Sequence, residues 1–284
     1  MNELKNKKMS TGKTVAGIVL AIAIMVITQI VASMVGGIPV MLGMPTAVGN
    51  ILGGILYPVF ALFCVKLLCT KLLDLSLEEC KVTKFSLKPI WCIAAVVMPC
   101  LVSGILLLTN GHWENNPFET IVVWEIITGA VFFYGIGTGI VEEMIFRGVI
   151  MSTLEYRFNK IAAITVPSVL FGLIHIVGRN LDFLSIIQLI IAGSIVGILF
   201  SLVTYETGNI WNNALIHAVW NMIIIGGILN IGDTSSEYAI YNYVLDSESF
   251  LITGGDFGIE ASVVAILAYA IFIGVAVLFM KKKK

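Results

Sequence analysis

Two adjacent carboxylates, Glu142 and Glu143, lie at the end of a long apolar run in a chain built almost entirely of membrane-like segments. An ionised carboxylate at the centre of a membrane helix costs about 2.5–3.5 kcal/mol on insertion scales. Two in succession therefore need an oppositely charged partner, a water-filled cavity or a chemical task. The pair constrains the fold, which must shelter it from lipid, and it marks the place to look for function.

The composition is that of a polytopic membrane protein. Of the 284 residues, 58% are hydrophobic and 12% are charged, and the mean hydropathy is +0.98. A helix needs about 20 apolar residues to cross a hydrocarbon core of about 30 Å, and it satisfies its own backbone groups in lipid. We therefore predict one all-α membrane domain over residues 1–284, a bundle of about eight transmembrane helices. The predicted spans are 14–35, 48–68, 89–108, 120–145, 161–178, 183–203, 209–231 and 259–280.

The distribution of Lys and Arg predicts that the N- and C-termini are both cytoplasmic. With the N-terminus inside, the basic residues fall on the cytoplasmic side, Arg147 among them, and Arg179 alone falls outside. The loops predicted outside, 109–119 and 232–258, hold no Lys or Arg. This is the bias of the positive-inside rule for an even number of spans. We expect an integral, multi-pass protein of the plasma membrane, with the lipid bilayer and no nucleic acid among its partners.

Small residues and cysteines indicate packing and not chemistry. Gly135 with Gly139, and Gly193 with Gly197, predict close helix contacts in the interior. The connection 71–88 is open to two interpretations, an amphipathic segment on the cytoplasmic surface or an ordinary solvated loop. The cysteines have no metal or redox spacing and are expected to be free thiols. They are Cys64, Cys69, Cys80, Cys92 and Cys100.

The two glutamates are predicted to have different roles. Glu143 and Arg147 are four residues apart on one helix, so they share a face and can pair, whereas Glu142 points about 100° away. A carboxylate that an arginine already holds is a poor base. One glutamate is therefore expected to be structural, and the other is free to act.

Two further helices carry polar residues at one-turn spacing. Phe171 and His175 share a face of helix five, and His217 and Asn221 share a face of helix seven. Each alone can be an interhelical hydrogen bond worth about 0.6–2 kcal/mol. Together with a carboxylate in a sheltered cavity, they can activate water and stabilise an oxyanion, as peptide hydrolysis requires. The chain has no His-Glu-x-x-His, Gly-x-Ser-x-Gly or Gly-x-Gly-Asp sequence, which disfavours zinc-motif, serine and aspartate peptidases.

At these residues the chain resembles the CPBP family, which comprises membrane CAAX proteases and bacteriocin-processing or immunity proteins, also called Abi. The family carries Glu-Glu-x-x-x-Arg, Phe-x-x-x-His and His-x-x-x-Asn on successive helices. All seven positions are filled here in that order, within a catalytic core at 120–225 that spans helices four to seven. They are Glu142, Glu143, Arg147, Phe171, His175, His217 and Asn221.

The resemblance implies an intramembrane endopeptidase of the glutamate type. Glu142 would activate water with His175 as its partner, and His217 and Asn221 would donate to the oxyanion. Glu143 and Arg147, with Phe171, would support the site. The substrate would be a membrane-bound peptide or protein, either a CAAX tail or a peptide precursor. We favour a mechanism without a metal or other cofactor, because neither histidine helix has the paired histidines usual in zinc sites; zinc remains the alternative.

One discrepancy and two rival functions accompany this hypothesis. With helix four ending near 145, Glu142 lies near the cytoplasmic end of its helix, whereas His175 lies about 20 Å along helix five. Tilt, a deeper cavity or an earlier start of helix five would reconcile the two depths. The rival functions are a non-proteolytic scaffold or bacteriocin self-immunity factor of the same fold, and a small transporter whose carboxylates relay protons or bind a cation.

Overall fold

The structure, a computed structural model, describes residues 9–282 and is mainly helical. Each of the eight predicted segments contains a helix. Within the described residues, six helices are long and apolar enough to cross a membrane, which confirms an integral multi-pass protein; the exact number of spans and the orientation of the termini stay predictions. The helices are α1 (Thr11–Met41), α2 (Thr46–Leu73), α3 (Pro89–Leu107), α4 (Thr120–Arg157), α5 (Lys160–Ile174), α6 (Phe183–Thr207), α7 (Trp211–Trp220), the short α8 (Phe250–Thr253) and α9 (Val263–Lys282).

A small sheet joins the two loops predicted to lie outside and includes the end of the predicted span 209–231, which is a strand there and not a helix. Its strands are β1 (Gly111–Asn115), β2 (Leu229–Gly232) and β3 (Tyr241–Leu245), in the order β1-β3-β2. β3 pairs antiparallel with β1 and parallel with β2. Aromatic residues are enriched in β-strands. The rings of Trp113 in β1 and Tyr243 in β3 pack edge to face, with 5.1 Å between their centroids. The two loops therefore share one end of the bundle, which we call the sheet end.

Helix α4 is longer than the sequence predicts. The expected span 120–145 ends near the glutamate pair, but the helix continues to Arg157. Arg147, expected in a cytoplasmic loop, is completely buried inside the bundle. The expectation was wrong because the side chains that follow Ile145 pack into the main hydrophobic cluster. Their burial extends the helix past a charged residue that would otherwise mark its end.

The connection between α2 and α3 packs against α4. It follows the last turn of α2, Cys69–Leu73, which is π-helical. Leu75, Cys80 and Val82 are buried, and a Cβ on Gly148 of α4 would lie 3.1 Å from the Cys80 carbonyl oxygen. Neither predicted alternative for 71–88 fully describes this segment, because Leu75, Cys80 and Val82 are buried in the bundle whereas Phe85 is exposed. We call 74–88 the inner loop.

The inner loop lies at the end of the bundle opposite the sheet. It is joined there by the start of α1, through the ion pair of Lys13 with Asp74, and by the last turns of α4, where the Ser152 hydroxyl donates to the Glu79 carbonyl oxygen. Arg157 donates to the Thr11 hydroxyl at the same end. We call this end of the bundle, opposite the sheet, the basic end. The five cysteines carry no disulfide bond.

The predicted glycine contacts bring helices together as expected. A Cβ on Gly193 of α6 would lie 2.6 Å from the Gly172 Cα atom of α5, and one on Gly197 would lie 2.6 Å from the Ser168 Cα atom. A Cβ on Gly139 of α4 would meet the backbone of α7 at 2.9 Å. These contacts hold α5 to α6 and α4 to α7 at backbone distance, and all four helices contribute to the site.

Candidate active site

The glutamate pair lies deep within α4, between the π-helical segments Gly129–Thr138 and Met144–Ile150. Such wide turns occur often at functional sites. The number of residues from Glu142 to Arg157 equals that from Lys160 to His175, and corresponds to about 22 Å of helix. The predicted difference in depth was therefore wrong. It came from ending α4 twelve residues too early.

Glu143 is completely buried, and one of its carboxylate oxygens contacts both the Arg147 guanidinium and the His217 imidazole. The Arg147 Nη1 atom donates to its Oε1 atom at 3.0 Å, and His217 Nδ1 lies 3.0 Å from the same oxygen. The predicted pairing of Glu143 with Arg147 is confirmed. Glu143 thereby joins two successive turns of α4 to α7, which is a structural arrangement.

Aromatic rings surround the Arg147 guanidinium. Its Cζ atom lies 4.6 Å from the centroid of Phe171 and 5.0 Å from that of Phe200, distances at which a cation is attracted to the face of a ring. Phe171 also packs against His175 at 4.7 Å and against His217 at 5.9 Å between ring centroids. Phe171 thus links the buried arginine to both histidines. Phe200 was not predicted, because one Phe in a wholly apolar helix gives no distinguishing signal.

Glu142 faces a cavity and lacks a hydrogen-bond partner on one oxygen. Its Oε2 atom is buried and has none within the described residues, while His217 Nε2 lies 3.7 Å away. Buried carboxylate oxygens almost always have a partner in folded proteins. This oxygen is therefore available to a water molecule or a substrate, unlike Glu143 Oε1.

The histidines and the asparagine are oriented by specific contacts. His175 Nδ1 lies 2.7 Å from the Phe171 carbonyl oxygen, which can only accept, so Nδ1 donates this hydrogen bond and Nε2 is left for another partner. His217 lies between the two glutamates, with one ring nitrogen directed to each. The Asn221 amide donates to the Tyr134 carbonyl oxygen at 2.8 Å and retains a second N–H.

One cavity of about 270 Å³ collects the predicted catalytic residues. Glu142, His175, His217 and Asn221 all line it, as does Phe171, whereas Glu143 and Arg147 lie behind its wall. The cavity also has lining residues that the motifs do not include. Among them are Gln29, Arg179, Trp220, Phe257, Glu260 and Tyr269.

Glu260 is the most informative of these unpredicted residues. It lies in the short 3₁₀ turn Ile259–Ala261, which precedes α9. Burial raises the pKa of the Glu260 carboxyl, and this rise is partly opposed by the charges of His175 and Arg179 and by a hydrogen bond from Trp220. The sequence signal was available, since Glu260 is an acidic residue at the start of an apolar span.

The residues present do not form a closed metal site. Within residues 9–282, no group of three His, Cys, Asp or Glu side chains is placed to hold a metal ion. His175 uses Nδ1 on a backbone carbonyl, and His217 directs both nitrogens toward carboxylates. The donor set therefore does not fit zinc in this arrangement. A mechanism without metal remains a prediction.

The sequence model of one known family matches the chain. The family is described as type II CAAX prenyl endopeptidase Rce1-like, and the match covers residues 124–223. All seven motif residues lie in this segment, which is roughly a third of the chain. No curated protein and no solved structure matches the chain significantly. The family match confirms the resemblance that the motifs indicate.

Proposed function

We propose that this chain, which belongs to the CPBP family of membrane CAAX proteases, is an intramembrane endopeptidase that uses Glu142 to activate water. The observation that carries the proposal is the contrast between the two adjacent glutamates. Each glutamate has one buried oxygen without a hydrogen-bond partner, but Glu142 lines the cavity that it shares with His175. Glu143 does not line it, and its other oxygen binds Arg147 and His217. A base needs a free lone pair and room for water, and only Glu142 has both.

The first step is the attack of water on the scissile carbonyl carbon. A water molecule between Glu142 and His175 Nε2 gives one proton to the Glu142 carboxylate as its oxygen bonds to the carbonyl carbon. The carbonyl oxygen becomes an oxyanion in the tetrahedral intermediate. The neutral His175 side chain orients the water, because its Nε2 atom accepts the second hydrogen bond.

The second step needs donors to the oxyanion and a proton for the leaving group. Protonated on both nitrogens, His217 binds Glu143 through Nδ1 and the oxyanion through Nε2, and the free N–H of Asn221 adds a second donor. Donors held in place before the reaction stabilise an oxyanion without reorganisation. The Glu142 carboxyl group then passes its proton to the leaving amine as the C–N bond breaks.

The substrate in this proposal is a membrane-bound peptide or protein, either a CAAX-type tail or a peptide precursor. The family supports a substrate embedded in lipid, and one residue that lines the cavity, Gln29 of α1, is exposed. We place the protein in the plasma membrane, with no cofactor.

The test compares the wild type with Glu142→Gln and Glu155→Gln in detergent. Glu155 is the matched control, since it lies on the same helix and accepts a hydrogen bond from the Tyr205 hydroxyl, as a glutamine can. Each protein is incubated with a library of quenched peptides that includes lipidated C-terminal tails. We expect Glu142→Gln to lose activity by about 10²–10⁴-fold with unchanged abundance, and Glu155→Gln to remain active.

Other outcomes separate the rival functions. Equal peptide binding by wild type and Glu142→Gln, with no cleavage by either, would favour a scaffold or immunity factor. Ion flux that Glu142→Gln changes, with every peptide left intact, would favour a transporter. The same assays are repeated with a chelator, and a loss of cleavage that added zinc restores would contradict the metal-free mechanism.

A further inference from the structure

We infer that the catalytic cavity is reached from the sheet end of the bundle and that this end faces the extracytoplasmic side of the membrane. The inference rests on the proposed function and specifies its substrates. They are peptide segments whose scissile bond is presented at the outer face, such as secreted or membrane-bound precursors. Of the two proposed substrate classes, the inference favours peptide precursors over prenylated tails, which would approach from the cytoplasm.

The end of α5 directs the site toward the sheet end. His175 is the residue at which α5 ends, and it is partly exposed. Glu142 lies at the same height, in the interior of the long helix α4, about 22 Å from Arg157 and about 33 Å from Thr120. The depth of Glu142 alone does not decide which end gives access, and the walls of the cavity do.

The walls of the cavity come from the same end. On α6 they begin with Leu189, close to the start of that helix, and on α9 the lining residue is Tyr269, in the second turn. Arg179, in the loop between α5 and α6, lines the cavity and is exposed, so it lies at the opening. Its guanidinium packs 4.5 Å from the centroid of Phe257, another lining residue. Loops and helix starts of the sheet end therefore form the rim.

The basic end is closed. Every residue of α4 from Glu143 to Leu154 is buried. The inner loop covers this part of the helix at Gly148, and the Ile210 amide, just before α7, donates to the Lys81 carbonyl oxygen. Packed interiors leave few voids larger than a water molecule. A peptide therefore has no route to Glu142 from the basic end.

The basic residues assign the two ends to the two sides of the membrane. Arg147 is buried in the bundle, and within residues 9–282 every other Lys and Arg except Arg179 belongs to the segments of the basic end. Such an excess marks the cytoplasmic side. The sheet end, where the cavity opens, is then extracytoplasmic. This differs from a protease that trims tails delivered from the cytoplasm.

The first test uses sealed membrane vesicles of known orientation and a quenched peptide that cannot cross a bilayer. The peptide is one that the wild type cleaves in detergent. We expect cleavage by vesicles that expose the extracytoplasmic face, and none by everted vesicles until detergent opens them. Cleavage by everted vesicles alone would overturn the inference and leave the proposed function standing. An absence of cleavage in detergent would instead overturn the proposed function.

The second test does not depend on activity. In a background with the five native cysteines changed to alanine, Thr138→Cys reports on the cavity and Lys84→Cys on the inner loop; Thr138 lines the cavity, and Lys84 is exposed at the basic end. A membrane-impermeant thiol reagent is added to intact cells and to everted vesicles. We expect it to label Thr138→Cys in intact cells and Lys84→Cys in everted vesicles. Labelling of Thr138→Cys only in everted vesicles would overturn the inference.

Discussion

The two halves of α4 differ in packing, and the change occurs at the glutamate pair. From Glu143 to Leu154 every residue is buried, and the side chains form the main hydrophobic cluster with α1, α2 and the inner loop. On the other side, from Thr120 to Tyr134, most residues are partly or fully exposed, and the helix borders cavities. Two neighbouring carboxylates thereby have opposite surroundings.

This difference supports different roles for the two glutamates. Glu143 belongs to the packed half, where an arginine and a histidine stabilise its charge and aromatic rings contact the arginine. Glu142 belongs to the hollow half, where it lines the cavity. In the proposed mechanism the packed half supplies stability, and the hollow half supplies chemistry. Substitutions in the two halves should separate these properties.

The largest expected effect is on stability, from Arg147→Met in the packed half. Removing one member of a buried ion pair leaves an uncompensated charge on Glu143 and costs about 3–5 kcal/mol. Chemical unfolding in detergent measures this change. The double variant Glu143→Gln with Arg147→Met removes both charges and should be more stable than Arg147→Met alone. If the two substitutions destabilise additively, the pair does not hold the packed half together.

The second effect is on catalysis, from Asn221→Ala in the hollow half. Loss of one oxyanion donor should lower kcat by about 10²–10³-fold. The lost hydrogen bond to the Tyr134 carbonyl oxygen should cost only about 1 kcal/mol of stability. Peptide cleavage and unfolding are measured on the same preparation. A loss of stability as large as that of Arg147→Met would contradict the separation of the two halves.

The third effect concerns the contact between α5 and α6 at Gly193, which lines the cavity of the hollow half. A Cβ there would lie 2.6 Å from the Gly172 Cα atom, so Gly193→Ala must push α5 away from α6. We expect a loss of about 1–3 kcal/mol and, because α5 carries His175, a loss of activity as well. The control is Gly104→Ala in α3, where no atom lies within 4 Å of the new Cβ. That variant should be unchanged or slightly more stable.

Local spacing predicted which candidate site residues lie side by side, because these pairs lie within single helices. Residues four apart share a helix face whatever the tertiary structure, so Glu143 with Arg147, and Phe171 with His175, could be placed from sequence. The convergence of these faces on one cavity followed from the need to shelter polar groups from lipid. The family match at 124–223 agrees with that interpretation.

Contacts between distant segments were not predictable in the same way. The aromatic contact of Phe200 with Arg147, and the approach of Glu260 to the site, depend on how helices cross. The predicted end of α4 was wrong because hydropathy treats Arg147 as the boundary of a span. The buried ion pair of Arg147 with Glu143 lets the helix continue to Arg157. The sheet was missed because β1 and β3 lie in loops outside the apolar spans, and because hydropathy does not distinguish the apolar strand β2 from the end of the predicted span 209–231, whose helix stops at Ile225.

The smallest expected effect is a pH dependence at the opening of the hollow half. Because burial raises the pKa of Glu260, the folded protein binds a proton more tightly there than the unfolded chain. Stability from this group therefore rises as the pH falls through the raised pKa, and the cost of burying the charge is fully present above it. His175, His217 and Arg179 face the same carboxylate and also contribute to the pH dependence of stability.

The variant Glu260→Gln isolates the contribution of Glu260, since an amide does not titrate and can still accept a hydrogen bond from Trp220. We expect this variant to be more stable than the wild type at pH 8, with a difference that shrinks toward pH 5, measured by thermal unfolding in detergent. A stability difference that does not change with pH would mean that water solvates the Glu260 carboxylate, and that water fills this part of the cavity.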